Sequence, residues 1–277
     1  MPELPEVEIA RRQLVRWLRG RAVTGAEAEP TRIFRGGDPE RFARLRGRLL
    51  EAGRKGKYLL LRFDDGTGVL AHFGMTGKLV RRPRGMLEPY SRARLLLDDG
   101  LTVHFRDARM FGRIAALDAD RLGDLPEILK LGVDPLADGL DFRALREAVS
   151  PSRQDLKVAL MDQGRIAGLG NIHAAEALYR SSLHPASRPA SLRDEDWKRL
   201  CRGIRSTIRR GLTLGDPDEN PFLVYGRKGQ RCRLCGAAVR AFVQGGRTTY
   251  FCPGCQKKPS GRRRPALDRL TPGEGAS

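Results

Sequence analysis

Long apolar runs are missing from this 277-residue chain. None approaches the ~18 residues that a membrane-spanning helix needs, and no signal-type apolar stretch stands near the N-terminus. The expectation is a cytoplasmic protein with no membrane partner. Acidic charge is short: 33 Asp+Glu stand against 52 Lys+Arg, for a net charge of +19 and a pI near 10.6. A generally solvated basic surface is one reading. A polyanionic partner, nucleic acid by default, is the other. The basic residues are spread along the chain, so a lone basic tail is not their cause, and no strongly basic amphipathic helix suggests an acidic membrane surface. Internal repeats are absent. Cysteine is scarce, with five in all, but four of them form two CxxC pairs with sixteen residues between the pairs.

A chain of this length predicts two domains or slightly more. Residues 5–19 read as an amphipathic helix with Val7, Ala10, Leu14 and Leu18 on one stripe. Glu6 and Glu8 stand in its first turn, where the helix dipole favours acids. From 20 to 116 the pattern is strands and turns. KYLLLRF (57–63), GVLAHF (68–73), ARLLL (93–97) and LTVHF (101–105) are short apolar segments, and DDG at 64–66 and 98–100 is a hairpin signal. LGVDPLADG (131–139) reads as a linker. Helical patterns follow at about 141–149, 152–163, 172–181 and 193–211. The expected class is α+β multidomain: an N-terminal β-sandwich with a leading helix (1–130), a helical domain (131–225), a four-Cys zinc finger (226–260) and a basic, disordered tail (261–277) containing Arg262–Arg264.

Four segments carry chemistry. The chain opens MPELPEVE. With Met1 removed, Pro2 is a secondary amine titrating near pH ~8, a nucleophile able to form a Schiff base, and Glu3 is a carboxylate beside it. The bland alternative is that Pro2 and Pro5 lead into a helix. Cys232, Cys235, Cys252 and Cys255 have the spacing of one four-thiolate zinc site; with no ligand position open to water, that zinc is structural. Residues 237–251 between the pairs read as a hairpin with GGR at 245–247, and Arg247 at its tip is either an exposed turn residue or a fork donor to phosphate. GLGN at 168–171 offers backbone amides and Asn171 at a helix start, suited to phosphate or to a simple N-cap. In the β-domain, Lys57 follows GRKG, His72, Met75 and Thr76 fall in HFGMTG, and Arg109 and Phe111 fall in DARMFG. Met, Arg and Phe on loops suit a wedge into stacked bases; as residue types they are also ordinary core. Cys201, unpaired in a helical stretch, reads as a small buried hydrophobe.

Together these segments resemble the formamidopyrimidine-DNA glycosylase family, which includes the endonuclease VIII type. The residues that carry the resemblance are MPELPEVE, GKYLL (56–60), HFGMTG (72–77), DARMFG (107–112), LMDQGRIAGLGNIHAAEALY (160–179), VYGRKG (224–229) and the finger with RTTYFCPGC (247–255). They run colinearly from residue 1 to about 257. The resemblance implies a helix-two-turns-helix module in the second domain, with double-stranded DNA in a cleft. It also implies excision of oxidised bases followed by strand nicking, acting as a monomer and associated with the nucleoid by DNA binding. It places Pro2 as the nucleophile at C1′, Glu3 as the acid/base at the sugar, and Lys57 on phosphate and in elimination. Asn171 and Arg247 would grip flanking phosphates, and Met75, Arg109 and Phe111 would fill the void of the extruded base, in loops that also carry His72. Glu6 and Lys157 would lie near the base pocket.

HFGMTG and VYGRKG resemble the formamidopyrimidine type more than endonuclease VIII. Three departures mark this chain. LGDPDENPFL after Thr213 is shorter than the family's loop over the flipped base, His173 stands where Tyr is usual, and Ala108 with Met110 replaces the usual residues after Asp107. The short loop leaves 8-oxoguanine, ring-opened purines and hydantoins in competition. An oxidised-pyrimidine enzyme and a non-enzymatic DNA-binding protein are the two alternatives.

Overall fold

The computed structural model describes residues 2–34, 38–214 and 221–258. The tail with Arg262–Arg264 and most of the short segment after Thr213 lie outside the described residues. Helix α1 (Leu4–Leu18) buries the predicted stripe of Val7, Ala10, Leu14 and Leu18. Strands β1 (Ala22–Ala28), β2 (Gly47–Lys55), β3 (Tyr58–Phe63), β4 (Thr67–His72), β5 (Lys78–Pro83), β6 (Ser91–Leu97), β7 (Leu101–Arg106) and β8 (Arg113–Asp118) follow, with the short helix α2 (Pro39–Arg44) before β2. They form two antiparallel layers, β5-β7-β6-β1 and β2-β3-β4-β8, joined where Ala22 and Val23 pair with Arg48 and Gly47.

Alternation decides which faces meet. Leu59, Leu61 and Phe63 of β3 and Ala93, Leu95 and Leu97 of β6 share one core with the α1 stripe, so the layers make the expected sandwich. Both DDG segments turn hairpins, β3 to β4 and β6 to β7. Asp65 accepts from Thr67 N at 2.8 Å and Asp99 from Leu101 N at 3.1 Å, the local side-chain bonding that makes Asp a turn residue.

Helices α3 (Pro126–Leu129), α4 (Phe142–Val149), α5 (Leu156–Met161), α6 (Asn171–Arg180) and α7 (Asp194–Leu214) come next. Their core joins Leu145, Leu160, Leu178, Trp197 and Ile204, with Cys201 buried among them as expected and Leu4 inserted from α1. α1 therefore spans both cores: its first residue belongs to the helical layer and its stripe to the sandwich. The finger carries hairpin β9 (Arg240–Gln244) and β10 (Arg247–Phe251). It rests on the end of α6 through Tyr179, Val224 and Val239. Glu176 of α6 accepts from the backbone N–H groups of Leu223, Val224 and Tyr225, holding the approach to the finger.

The predicted linker at 131–139 is instead a pinned crossover. Asp134 is fully buried and accepts from Arg54 Nη1 at 2.5 Å, Arg54 Nη2 at 3.1 Å and Gly56 N at 2.7 Å. Arg54 also reaches Glu8 at 3.2 Å, so one buried guanidinium bridges two carboxylates from separate parts of the chain, and Arg11 and Arg12 supply further charge to Glu8. Gly/Pro/Asp composition signals a turn but not this partner, which lies eighty residues away. Removing one member of a buried ion pair costs ~3–5 kcal/mol, because the remaining charge stays desolvated. Arg54→Ala should therefore lower the urea midpoint markedly, whereas Arg54→Met/Asp134→Leu should recover part of it. Equal midpoints for wild type and Arg54→Ala would remove the junction role.

Candidate active site

The site is built where α1 enters the helical layer. Leu4 N donates to Gly168 O at 3.1 Å, laying the first residues along the 163–170 turn. Gln163 shapes that turn: Nε2 donates to Met161 O and Leu169 O, and Oε1 accepts from Gly168 N at 2.9 Å. Gly170 is required here, since a Cβ would stand 2.4 Å from the Glu3 carboxyl carbon. One of the GLGN amides, that of Gly170, and the next two after Asn171 are taken by this protein's own anion. Glu3 Oε2 accepts from Gly170 N at 2.9 Å, His173 N at 3.1 Å and His173 Nδ1 at 2.6 Å, and Oε1 accepts from Ile172 N at 2.9 Å. Glu3 thus occupies the positive end of α6. Burial pushes its pKa up, but the His173 charge and hydrogen bond, Lys57 and the Ile172 amide outweigh that and bring it down to about 2.

Two cavities open on Pro2. One of about 560 Å³ is lined by Pro2, Lys57, His72, Gln163, Gly170 and Arg247, among others. The other, about 450 Å³, joins Pro2 and Glu6 to Met75 and Thr76. Glu6 also accepts from Glu3 N at 2.8 Å, which closes the first turn of α1 and aims its carboxylate back toward Pro2. Burial lowers the pKa of Lys57, and Arg247 adds to the lowering against the pull of Glu3 and Glu6. His72 is brought down to about 4 by burial, Lys57 and Arg113, so it is neutral at pH 7, and its Nδ1 accepts from Gly74 N.

Asn171 and Arg247 stand on one tied surface. Asn171 Nδ2 donates to Thr248 O at 3.1 Å, next to Arg247 at the hairpin tip. Arg247 is exposed; its backbone pairs with Gln244 in the hairpin, and its guanidinium has no hydrogen-bond or ion-pair partner among the described residues. Lys157 differs from expectation. Its side chain is buried, not turned to a base pocket, and Nζ donates to Asn171 Oδ1 at 2.5 Å and Thr249 Oγ1 at 2.8 Å. Burial first, then Arg247, lowers its pKa to about 8. Lys157 is the strut between the α6 start and the finger hairpin. The family resemblance placed it near the base pocket, but its partners here are protein atoms.

Met75, Arg109 and Phe111 are all exposed, which favours the wedge over the core reading. Their loops are tied: Thr76 Oγ1 donates to buried Asp107 Oδ1 at 2.5 Å and accepts from Arg109 N at 3.2 Å. The Arg109 guanidinium carbon lies 4.8 Å from the centre of the Phe111 ring. Met110, one of the departures, adopts φ 53° and packs against the sandwich core, while its carbonyl accepts from Arg32.

The four thiols of Cys232, Cys235, Cys252 and Cys255 lie within 4.8 Å of one another. A tetrahedral ion with metal–sulfur bonds of ~2.3 Å needs sulfurs about 3.8 Å apart. The pairs Cys232–Cys255 at 3.8 Å and Cys235–Cys252 at 3.4 Å fit that size. Leu234 N and Cys255 N point at Cys232 and Cys252, and Tyr179 OH lies 3.1 Å from Cys232 Sγ. The donor set is that of one structural zinc.

A basic chain that presents an N-terminal Pro-Glu pair to a cleft flanked by a helical turn and a zinc finger defines the class: a multidomain protein built around its own N-terminus. Family models agree over each part. The formamidopyrimidine-DNA glycosylase N-terminal domain matches residues 1–114, the H2TH domain of the same proteins matches 131–219, and a zinc finger found in FPG and IleRS matches 229–258. The formamidopyrimidine-DNA glycosylase of Geobacter sulfurreducens is 36% identical over 273 residues, covering 93% of this chain and all of that protein. That of Thermus thermophilus is 37% identical, covering 92% and 98%. The crystal structure of the MutM (Fpg) protein from Thermus thermophilus matches with TM-score 0.79 at 35% identity, covering 92% of this chain and 98% of that one. Lactococcus lactis Fpg bound to DNA containing an AP site matches with TM-score 0.84 at 30% identity, covering 92% and 100%. The chain belongs to the formamidopyrimidine-DNA glycosylase family.

Proposed function

We propose that Pro2, freed by removal of Met1, is the nucleophile of a bifunctional DNA glycosylase and AP lyase that acts on oxidised or ring-opened purines in base excision repair. The observation that carries this reading is Glu3. A buried carboxylate fixed by four donors stands next to Pro2, and Pro2 lines a cavity together with Lys57 and Arg247. A protein that only binds DNA has no need of a carboxylate held there beside a terminal amine.

The damaged nucleotide is extruded at a cost of a few kcal/mol, least for a damaged pair. Met75, Arg109 and Phe111 occupy the gap, and Asn171, Arg247 and Lys57 hold phosphates that position the strand without reading sequence. Pro2 N attacks C1′ and the base departs with the glycosidic electron pair. The proton on the new ammonium passes to Glu3, which is ionised and ready to take it. Glu3 then gives that proton to O4′ as the C1′–O4′ bond opens and the C1′=N⁺ Schiff base forms. A low pKa makes protonated Glu3 a strong but sparsely populated acid at neutral pH, so the proton moves straight on to O4′. The iminium acidifies the C2′ proton, and Lys57, whose amine is made less basic by burial, serves the β-elimination that breaks the strand. The net charge of +19 supplies the sequence-independent attraction for searching bulk DNA. One copy of the chain suffices for one site on one strand. No helix among the described residues is long and apolar enough to cross a membrane.

Borohydride trapping tests the reading on duplexes carrying 8-oxoguanine, ring-opened guanine, a hydantoin, oxidised thymine or an abasic site. Protein with Met1 removed should give a covalent adduct, strongest on an oxidised or ring-opened purine. Protein with Met1 retained should give none, since an amide nitrogen is not a nucleophile. Adducts ranked highest on oxidised thymine would move the substrate to pyrimidines. No adduct on any duplex would make the chain a DNA-binding protein.

A further inference from the structure

The geometry points to His173 as a positioning residue for Glu3: its protonated ring holds the carboxylate and sets how readily Glu3 hands its proton to the sugar. This rests on the reading of Pro2 and Glu3 above and adds to it the source of the pH dependence. His173 is 2% exposed, and its Nδ1 lies 2.6 Å from Glu3 Oε2. Its Nε2 lies 3.9 Å from Glu6 Oε1. The ring therefore sits between two carboxylates of the catalytic end of α1.

The other neighbours do not cancel that charge. Glu176 faces the ring from its own helix α6. From α7 the contact is Gly211, whose Cβ position lies 3.0 Å from Nε2, while Arg209 and Arg210 beside it are exposed. Among the cations, Lys57 acts on Glu3, and the Pro2 amine freed by removal of Met1 adjoins Glu3 in the chain. Burial works against a charged ring, but Glu3, Glu6 and Glu176 together outweigh it, and the imidazole pKa is raised.

A purely structural role is already filled. The amides of Gly170, Ile172 and His173 fix Glu3 without any help from the ring. The imidazole adds the one donor of the four that is able to change charge. While it is protonated, Glu3 is kept ionised and only rarely carries the proton that O4′ needs. When it loses its proton, the Glu3 pKa moves up toward the operating pH, the protonated acid becomes more populated and ring opening speeds up. A raised imidazole pKa places this change on the alkaline side, as pH rises through that value.

His173→Asn keeps a neutral donor at the Nδ1 position and removes the titrating charge. On an abasic duplex under single turnover, wild-type adduct formation should rise with pH in two steps, the deprotonation of Pro2 and that of His173. In His173→Asn only the Pro2 step should remain, with a plateau no lower than that of wild type. Profiles that superimpose after scaling would overturn the inference. A second measurement follows the ring itself. The chain has only four histidines, so the His173 ring can be followed by NMR. It should titrate above the ordinary histidine range in wild type and move down in Glu3→Gln; no movement would overturn the pairing. Wild type that traps no duplex sinks the Pro2 reading instead, and the NMR titration still decides whether His173 and Glu3 are coupled.

Discussion

Glu3→Gln should slow adduct formation on an abasic duplex by about 10²–10⁴-fold, the range for removing a positioned acid/base group. The substitution does more than delete a charge. Oε2 receives three donors and Oε1 one, so an amide must turn its NH2 group against either the Ile172 N–H or the cluster of Gly170 N, His173 N and His173 Nδ1. Both orientations set donor against donor in a buried site. The variant should also lose a pH-dependent part of its stability. The folded-state pKa of Glu3 is depressed to about 2, so the stabilisation is fully present above the ordinary carboxylate value and disappears as pH falls through the folded one. The shift corresponds to on the order of 3 kcal/mol. Urea unfolding at pH 7 and pH 3 measures it. Wild type should lose much more between the two than Glu3→Gln does. Equal losses in the two proteins would mean that Glu3 is not held in its ionised form by folding.

Local pattern carried much of the architecture. The α1 stripe, both DDG hairpins and the paired CxxC finger with its GGR tip were legible because each depends on residues close together in the chain. Strands β1, β2, β5 and β8 were not singled out. β5 is an edge strand carrying Lys78, Arg81, Arg82 and a terminal Pro83, so only partial burial marks it. β2 packs under α1 and spends Arg54 on buried acids, and a basic residue in a half-buried strand reads as surface. The same limit applies at the site. Pro2, Glu3 and Asn171 were identifiable as residues, but the bond between Glu3 and the start of α6 joins positions almost 170 apart. For that reason GLGN looked open to an outside phosphate, and His173 was only an unexplained substitution. Lys157 is the complementary case: a lysine near a basic cleft suggests DNA, and only burial shows that it braces Asn171 against Thr249.

Cys252→Ser should release zinc and weaken DNA binding by about 10–100-fold while the β-sandwich stays folded. Metal binding to a small four-Cys module contributes ~10–16 kcal/mol, which is effectively its folding free energy. Cys252 is fully buried in a small apolar cluster with Tyr179, Val224 and Val239, and Phe242 and Phe251 pack against His184; so small a cluster does not hold the hairpin alone. When β9 and β10 come apart, Arg247 loses its position, and a charged hydrogen bond of its kind is worth ~1.5–3 kcal/mol, or one to two decades of affinity. The damage also travels inward. Thr248 O and Thr249 Oγ1 leave Asn171 and Lys157, so the second phosphate-holding side chain is freed and a buried ammonium loses one of its two partners. The sandwich has its own core and shares none of these contacts. Zinc content, fluorescence-anisotropy binding to an abasic duplex at two salt concentrations, and the urea midpoint separate these effects. A zinc-free Cys252→Ser protein that binds DNA with wild-type affinity would show that the finger does not hold Arg247 on the phosphate.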